Sequence, residues 1–289
     1  MIIAVASGKG GTGKTTVAVN LALSVDYANP LFLDCDVEEP NAALFLHPTL
    51  DYRQEVGILI PQVDEAKCTA CGRCAEVCAF NAIAVVGQKV LVFPELCHGC
   101  GSCTLNCPED AITEVLNVTG MLESGRAGRV QFWQGVMNVG QAMATPIIRQ
   151  LKGRALDGFS SDGLATIDAS PGAACPVVEA VHGADFCLMV TEPTPFGLHD
   201  LRIAVEVVRD ELHIPVGVVV NRDGVGDSGV DEYCTAEGIP ILMRIPLDRR
   251  IAEAYSEGVP LVEALPEYRS RFEDLYREIE RQIRQGGKG

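Results

Sequence analysis

Residues 6–16 read ASGKGGTGKTT. From Gly8 to Thr15 they satisfy G-x-x-x-x-G-K-[ST], with an apolar strand-like run, MIIAVA, before them and a largely apolar helical stretch, TTVAVNLALSV, after. A glycine loop in that setting curls so that successive amides face phosphate oxygens, and the helix starting near Lys14 adds its positive end. The pattern therefore predicts a nucleotide-phosphate site built from Gly8, Lys9, Gly10, Gly11, Thr12, Gly13, Lys14, Thr15 and Thr16. Lys14 is expected on the β- and γ-phosphates and the Thr15 hydroxyl in the Mg²⁺ shell. The second lysine, Lys9, stands too near the start of the loop to duplicate Lys14. It can neutralise charge developing in phosphoryl transfer from within the chain or across a dimer interface, and the residues alone leave both open.

Outward from the loop the chain alternates strands and helices. PLFLD gives a second strand ending at Asp34, and GLATIDAS (163–170), ADFCLMVTEP (184–193), IPVGVVVN (214–221) and IPILMRIP (239–246) follow. These short, β-branched, nearly all-apolar runs predict an α/β fold, a mostly parallel sheet covered by helices on both faces. Each run ends in polar or turn residues, where open α/β sheets place ligands. Near the C-terminus, Tyr268, Phe272, Leu275, Tyr276, Ile279 and Ile283 fall on one helical stripe, expected to pack on the main domain. The other face mixes charges, unlike the basic face of a membrane-surface helix, and the tail QGGKG is expected to be loose.

Residues 63–117 break this rhythm. Their cysteines are spaced C68-x2-C71-x2-C74-x3-C78 and C97-x2-C100-x2-C103-x3-C107-P108, a repeat offset by 29 residues that extends to Ala82-Ile83 and Ala111-Ile112. A duplicated unit with so little core must be held by its ligands. Eight thiolates in this double run point to two [4Fe–4S] clusters; two tetrahedral zincs are the alternative, though x2-x2-x3 is unusual for zinc. AIAVV and KVLVF are expected as short strands, and Ala79 stands where the second run has Pro108. The division expected is 1–62 and 118–289 for the sheet domain, with 63–117 inserted.

Of the twelve cysteines, Cys35, Cys175, Cys187 and Cys234 lie outside the cluster. Clustering argues against a disulfide framework, and Cys187 is expected as core packing. With 23 basic and 39 acidic residues the formal charge is −16, and no dense Lys/Arg run occurs, so nucleic acid is not an expected partner. No signal peptide precedes the first strand and no run reaches membrane-spanning length, so the expected compartment is the cytoplasm, without stable membrane insertion.

The two-lysine loop resembles that of the MinD/nitrogenase-iron-protein class of P-loop ATPases. The resemblance implies that Lys9 crosses a nucleotide-sandwich homodimer to the partner's phosphates, so that catalysis depends on an ATP-bound dimer. In LFLDCDVEEPN it implies that Asp36 helps position the attacking water, and in ATIDASPG that Asp168 lies near Mg²⁺ through water. Asn221 and Arg222 in VVVNRD match the adenine side, and RIPLD (244–248) resembles the later base-side loop. The cysteine unit resembles bacterial-type ferredoxin, in which each run supplies three sulfurs to one cluster and the fourth to the other. That assigns Cys68, Cys71, Cys74 and Cys107 to one cluster and Cys97, Cys100, Cys103 and Cys78 to the other.

The whole chain resembles MinD-superfamily ATPases with an inserted ferredoxin domain, and MNVGQAMATPIIRQLK (137–152) and VTEPTPFGLHDL (190–201) are further family-like stretches. The function implied is Mg²⁺-dependent ATP hydrolysis, coupled through dimerisation to electron transfer to a redox or iron–sulfur client. An iron–sulfur assembly or carrier ATPase, a spatial organiser with a redox-sensing module and a nucleotide-independent ferredoxin are the competing expectations.

Overall fold

The computed structural model describes residues 1–160 and 162–286. Its strands are β1 (Ile2–Ala6), β2 (Leu31–Asp34), β3 (Thr49–Val63), β4 (Ile83–Val86), β5 (Lys89–Val92), β6 (Ile112–Ala127), β7 (Val130–Met137), β8 (Ala165–Asp168), β9 (Phe186–Thr191), β10 (Val216–Asp223) and β11 (Ile241–Pro246). Nine of them form one sheet in the order β11-β10-β9-β1-β8-β2-β7-β6-β3, and β4 pairs with β5 apart from it. From β11 through β7 every pairing is parallel. β6 and β3 turn back as antiparallel strands at the edge.

The all-apolar runs are buried on both faces because helices cover both. In β1, Ala4 and Ala6 face a core that includes Ile147 and Leu151 of helix Thr145–Ala155 and Leu201 and Val205 of helix Pro195–Val205. Ile3 and Val5 face the other core, with Val17 and Leu21 of helix Lys14–Ser24 and Phe272, Leu275 and Ile279 of helix Glu267–Gly286. Each large side chain fully buried this way contributes about 1.5–3 kcal/mol. The C-terminal stripe thus packs as its spacing predicts. The helix takes in Gln285 and Gly286 of the expected loose tail, and residues 287–289 lie outside those described. Cys187 is fully buried core. Among the described residues no helix is long and apolar enough to cross a membrane.

β3, β6 and β7 were not legible as strands. β6 pairs with β7 only from Gly120 to Ala127, whereas its ladder with β3 extends to the Ile112–Val63 pair. Past Val56 and Gly120 the two strands therefore continue as a bare ribbon. The register shifts between Val56 and Gly57, leaving Thr119 as an extra residue, a bulge that turns the ribbon away from the sheet. Only glycine fits at position 57, where an added Cβ would lie 1.9 Å from the Asn117 carbonyl oxygen.

The ribbon ends in the cysteine-bearing residues, closed at its base by Asp64 N–H donating to the Ala111 carbonyl at 2.8 Å. The sequence repeat returns in the backbone. Left-handed conformations recur at Ala70 (φ 53°) and Gly99 (64°), Gly72 (85°) and Gly101 (71°), and Asn81 (53°) and Asp110 (47°). β4 and β5 form the hairpin expected from AIAVV and KVLVF.

Candidate functional site

At the C-terminal end of β1 the loop folds back over helix Lys14–Ser24. Gly11 (φ 77°) and Gly13 (92°) take left-handed conformations that turn the chain into the helix. An added Cβ on Gly13 would also lie 2.3 Å from Asn221 Nδ2. That amide, at the end of β10, donates to the Thr12 carbonyl at 2.7 Å, and Arg222 donates to the Gly11 carbonyl at 3.1 Å. Gly8 has a packing reason to lack a side chain, since a Cβ there would sit 2.2 Å from the Asp200 carbonyl oxygen.

These elements enclose a cleft of about 380 Å³ walled by Gly10, Gly11, Gly13, Lys14, Thr15, Thr16, Asp36, Asn221 and Arg222. Gly8, Lys9, Thr12 and Asp168 do not line it. The wall is completed by Ser7, Glu39, Asn41 and Pro171, and by Ile245–Asp248 with Ile251, Ala252 and Tyr255 of helix Arg249–Ser256. The cleft is polar beside the loop and apolar at the far side, the division a nucleotide needs between phosphates and base.

Beneath it lies a buried charge cluster. Lys14 Nζ donates to Asp168 Oδ1 at 2.7 Å and reaches Asp36 Oδ2 at 3.5 Å. Burial opposes the Lys14 charge, yet Asp168, Asp36 and Asp34 outweigh it and hold the ammonium above its ordinary pKa. Asp34 accepts from the Asp36 and Ala42 amides at 3.1 and 3.0 Å and so shapes the loop after β2. Burial, reinforced by the Asp168 charge, pushes Asp34 to about 8; burial, against Lys14, pushes Asp36 to about 6. Asp168 is fully buried, and its Oδ2 has no hydrogen-bond partner.

Lys9 does not line the cleft. Its ammonium pairs with Glu192, just after β9, and Glu192 also accepts from Arg222 at 2.8 Å. Burial would raise the Glu192 carboxyl, but Lys9 and Arg222 prevail and hold it low.

The cysteines gather into two quartets at the end of the ribbon. Cys68, Cys71, Cys74 and Cys107 line one small cavity; Cys78, Cys97, Cys100 and Cys103 line the other. Backbone amides point at sulfur in matched positions: Ala70 to Cys68 and Gly99 to Cys97 at 3.4 Å, Ala82 to Cys78 and Ala111 to Cys107 at 3.3 Å. Among the described residues no three His, Cys, Asp or Glu side chains converge tightly enough for a single ion. The cavities differ in one wall, where Phe80 stacks on His98 with centroids 3.7 Å apart beside the second quartet.

Glu192 stands in the family-like stretch VTEPTPFGLHDL, yet its ion pairs were missed because a lone acid after a strand carries no chemical pattern. Sequence reasoning also missed Glu39 and Asn41, which follow Asp36 in LFLDCDVEEPN without a pattern of their own, and Tyr255.

Over residues 3–261 the chain matches the family model for the CobQ/CobB/MinD/ParA nucleotide binding domain. An uncharacterized protein of Methanocaldococcus jannaschii is 33% identical over 260 residues, 89% of this chain and 90% of that one. An iron-sulfur cluster carrier protein of Pyrococcus abyssi is 26% identical over 278 residues, 90% of this chain and 78% of the other. Among solved structures, the septum site-determining protein MinD of Pyrococcus horikoshii, complexed with Mg-ADP, superposes with a TM-score of 0.58 at 20% identity, covering 96% of this chain and 95% of that one.

Proposed function

The chain belongs to the CobQ/CobB/MinD/ParA nucleotide-binding family, and from that premise we propose that it is a Mg²⁺-dependent ATPase whose nucleotide cycle governs electron delivery to a partner protein. Lys14 binds the β- and γ-phosphates, Thr15 joins the Mg²⁺ shell, and Asp36 and Asp168 act there through water. Asn221 and Arg222 brace the loop, and the apolar wall from Ile245 to Tyr255 takes the base. Two [4Fe–4S] clusters, held by Cys68, Cys71, Cys74 and Cys107 and by Cys97, Cys100, Cys103 and Cys78, would supply one-electron storage. Lys9 exchanges Glu192 for the phosphates of a second subunit, so the ATP-bound form is a homodimer.

The observation that carries this reading is the pair of four-cysteine cavities on a ribbon continuous with the sheet that holds the phosphate loop. Eight committed sulfurs suit clusters that stay in place. The relatives named iron-sulfur cluster carrier proteins favour a second reading, transfer of a whole cluster to an apo-protein. The MinD likeness supports the fold alone and no spatial role.

The test uses iron-loaded, dithionite-reduced protein under anaerobic conditions. Cluster oxidation by candidate acceptor proteins is followed by absorbance and EPR with no nucleotide, Mg-ADP or Mg-ATP, and with Lys9→Ala. Oxidation that requires ATP and is lost in the variant supports gated delivery. Equal rates in every condition sink it, and iron arriving in the acceptor selects the carrier reading.

A further inference from the structure

The nucleotide cleft and the cysteine cavities are joined by contacts that meet at one point, the bulge where the ribbon leaves the sheet. Val37 follows Asp36, and its carbonyl accepts from Met137 N–H at the end of β7 at 2.8 Å. The Val37 side chain lies over Gly135, where an added Cβ would be 2.7 Å from Val37 Cγ1. The next residue, Asn138, donates its N–H to the Thr119 carbonyl at 2.9 Å and its Nδ2 to the Val118 carbonyl at 3.3 Å, gripping the bulged strand. Across the ladder, Gln150 Nε2 donates to the Gly57 carbonyl at 2.9 Å and to its own helix at Pro146 at 3.0 Å. The loop after β2 is thus one hydrogen bond from the segment that clamps both strands of the ribbon at their bend.

From this geometry we infer that Asn138 and Gln150 are positioning residues that convert movement of the Asp36–Val37 loop into reorientation of the ribbon and its cysteine cavities. The inference rests on the reading that the cleft binds a nucleotide and the ribbon carries the clusters. Its mechanical basis is local. Beyond the bulge no other strand among the described residues pairs with the ribbon, so the carbonyls at positions 57, 118 and 119 set the angle at which it departs. A displacement of Val37, seated directly on β7 over Gly135, reaches the Thr119 carbonyl through the Met137 and Asn138 backbone amides and the Val118 carbonyl through the Asn138 side chain, while Gln150 holds the Gly57 carbonyl on the other strand. Neither Asn138 nor Gln150 lines the cleft or a cysteine cavity, so replacing them leaves both sites their own residues.

The experiment is hydrogen–deuterium exchange on the full-length, iron-loaded chain with no nucleotide, Mg-ADP or Mg-ATP, comparing wild type with Asn138→Ala/Gln150→Met. In wild type, Mg-ATP should protect residues 7–16 and change exchange in 56–63 and 112–120 by about fivefold, the low end of ordinary coupling between sites. In the double variant, which removes the side-chain bonds to the Val118 and Gly57 carbonyls but keeps the backbone bond to Thr119, the same protection of 7–16 should accompany a weakened ribbon response. Gly135→Ala, which displaces Val37 from the other end, should alter ribbon exchange with no nucleotide present. A ribbon response undiminished in the double variant, or absent in wild type while residues 7–16 are protected, overturns the inference. Unprotected residues 7–16 would remove the nucleotide reading first, and this inference with it.

Discussion

Replacing Lys14 with methionine should do more than abolish phosphate binding; it should destabilise the protein in a pH-dependent way. The Lys14 side chain is 7% exposed and its partner Asp168 is 0% exposed, 2.7 Å away. Methionine keeps the volume but leaves a buried carboxylate whose other oxygen already has no partner. Breaking such a pair from one side costs about 3–5 kcal/mol. For a domain of this size that lowers Tm by ~6–20 °C.

The sign of the pH dependence follows from the neighbours. Asp34 and Asp36 are raised to about 8 and about 6 in the folded protein, so between an unfolded value near 3.8 and those figures the native state binds more protons. Their contribution is complete below the unfolded value and is lost as pH climbs through 6 and then 8. Without the Lys14 charge these carboxyls hold their protons more tightly still, and the loss grows with pH. The deficit should be largest near pH 8 and much smaller near pH 5.5. Urea unfolding followed by the fluorescence of Trp133, the single tryptophan, placed on β7, reads this directly. Lys14→Met/Asp168→Asn, which removes charge and partner together, should recover most of the stability. A single variant as stable as wild type at pH 8, or a deficit unchanged between the two pH values, refutes the reasoning.

Three further outcomes are expected. Mg-ATP affinity should rise from pH 5 to pH 7 as Asp36, raised to about 6, ionises, and level off above; calorimetric titrations flat across that range would remove Asp36 from the site. Gly13→Ala combines a left-handed φ of 92° with a 2.3 Å approach to Asn221 Nδ2. It should weaken nucleotide binding about tenfold or more, from a left-handed penalty of about 1–2 kcal/mol and the displaced Asn221 bond, and wild-type affinity would show that the loop relaxes freely. Cys107→Ser should lower bound iron by about half, emptying the Cys68 quartet, whereas Cys175→Ser should leave it unchanged by colorimetric iron assay; equal losses would contradict the two-quartet assignment.

What the sequence disclosed and what it hid have physical causes. The parallel strands other than β7 were readable because burial on both faces demands uninterrupted apolar runs such as FCLMVT in β9. The glycine loop was readable because few residue types satisfy its backbone geometry. β6, reading ITEVLNVTGMLESGRA, concealed itself because part of it is an exposed ribbon and part an inner strand, so no single period runs through it. The repeat offset of 29 residues predicted matched turns, which recur at 70 and 99, 72 and 101, and 81 and 110, whereas the exchange of the fourth cysteine between the runs followed from the resemblance to ferredoxin and not from spacing. The Lys9–Glu192–Arg222 group was invisible because its members, 183 and 30 residues apart, meet only when β1 and β10 lie on either side of β9. The clamp at the bulge is carried mainly by backbone carbonyls, which every sequence possesses and none advertises.

The central claim is that nucleotide and cluster redox state are energetically coupled within one chain. Coupling is reciprocal, so it can be measured from the nucleotide side without knowing the partner. The measurement is the affinity for Mg-ATP of the iron-loaded protein, fully oxidised and then dithionite-reduced, by anaerobic titration calorimetry on the same preparation. The account predicts affinities that differ by about fivefold or more. Equal affinities in the two redox states, with clusters fully loaded in both, would contradict it.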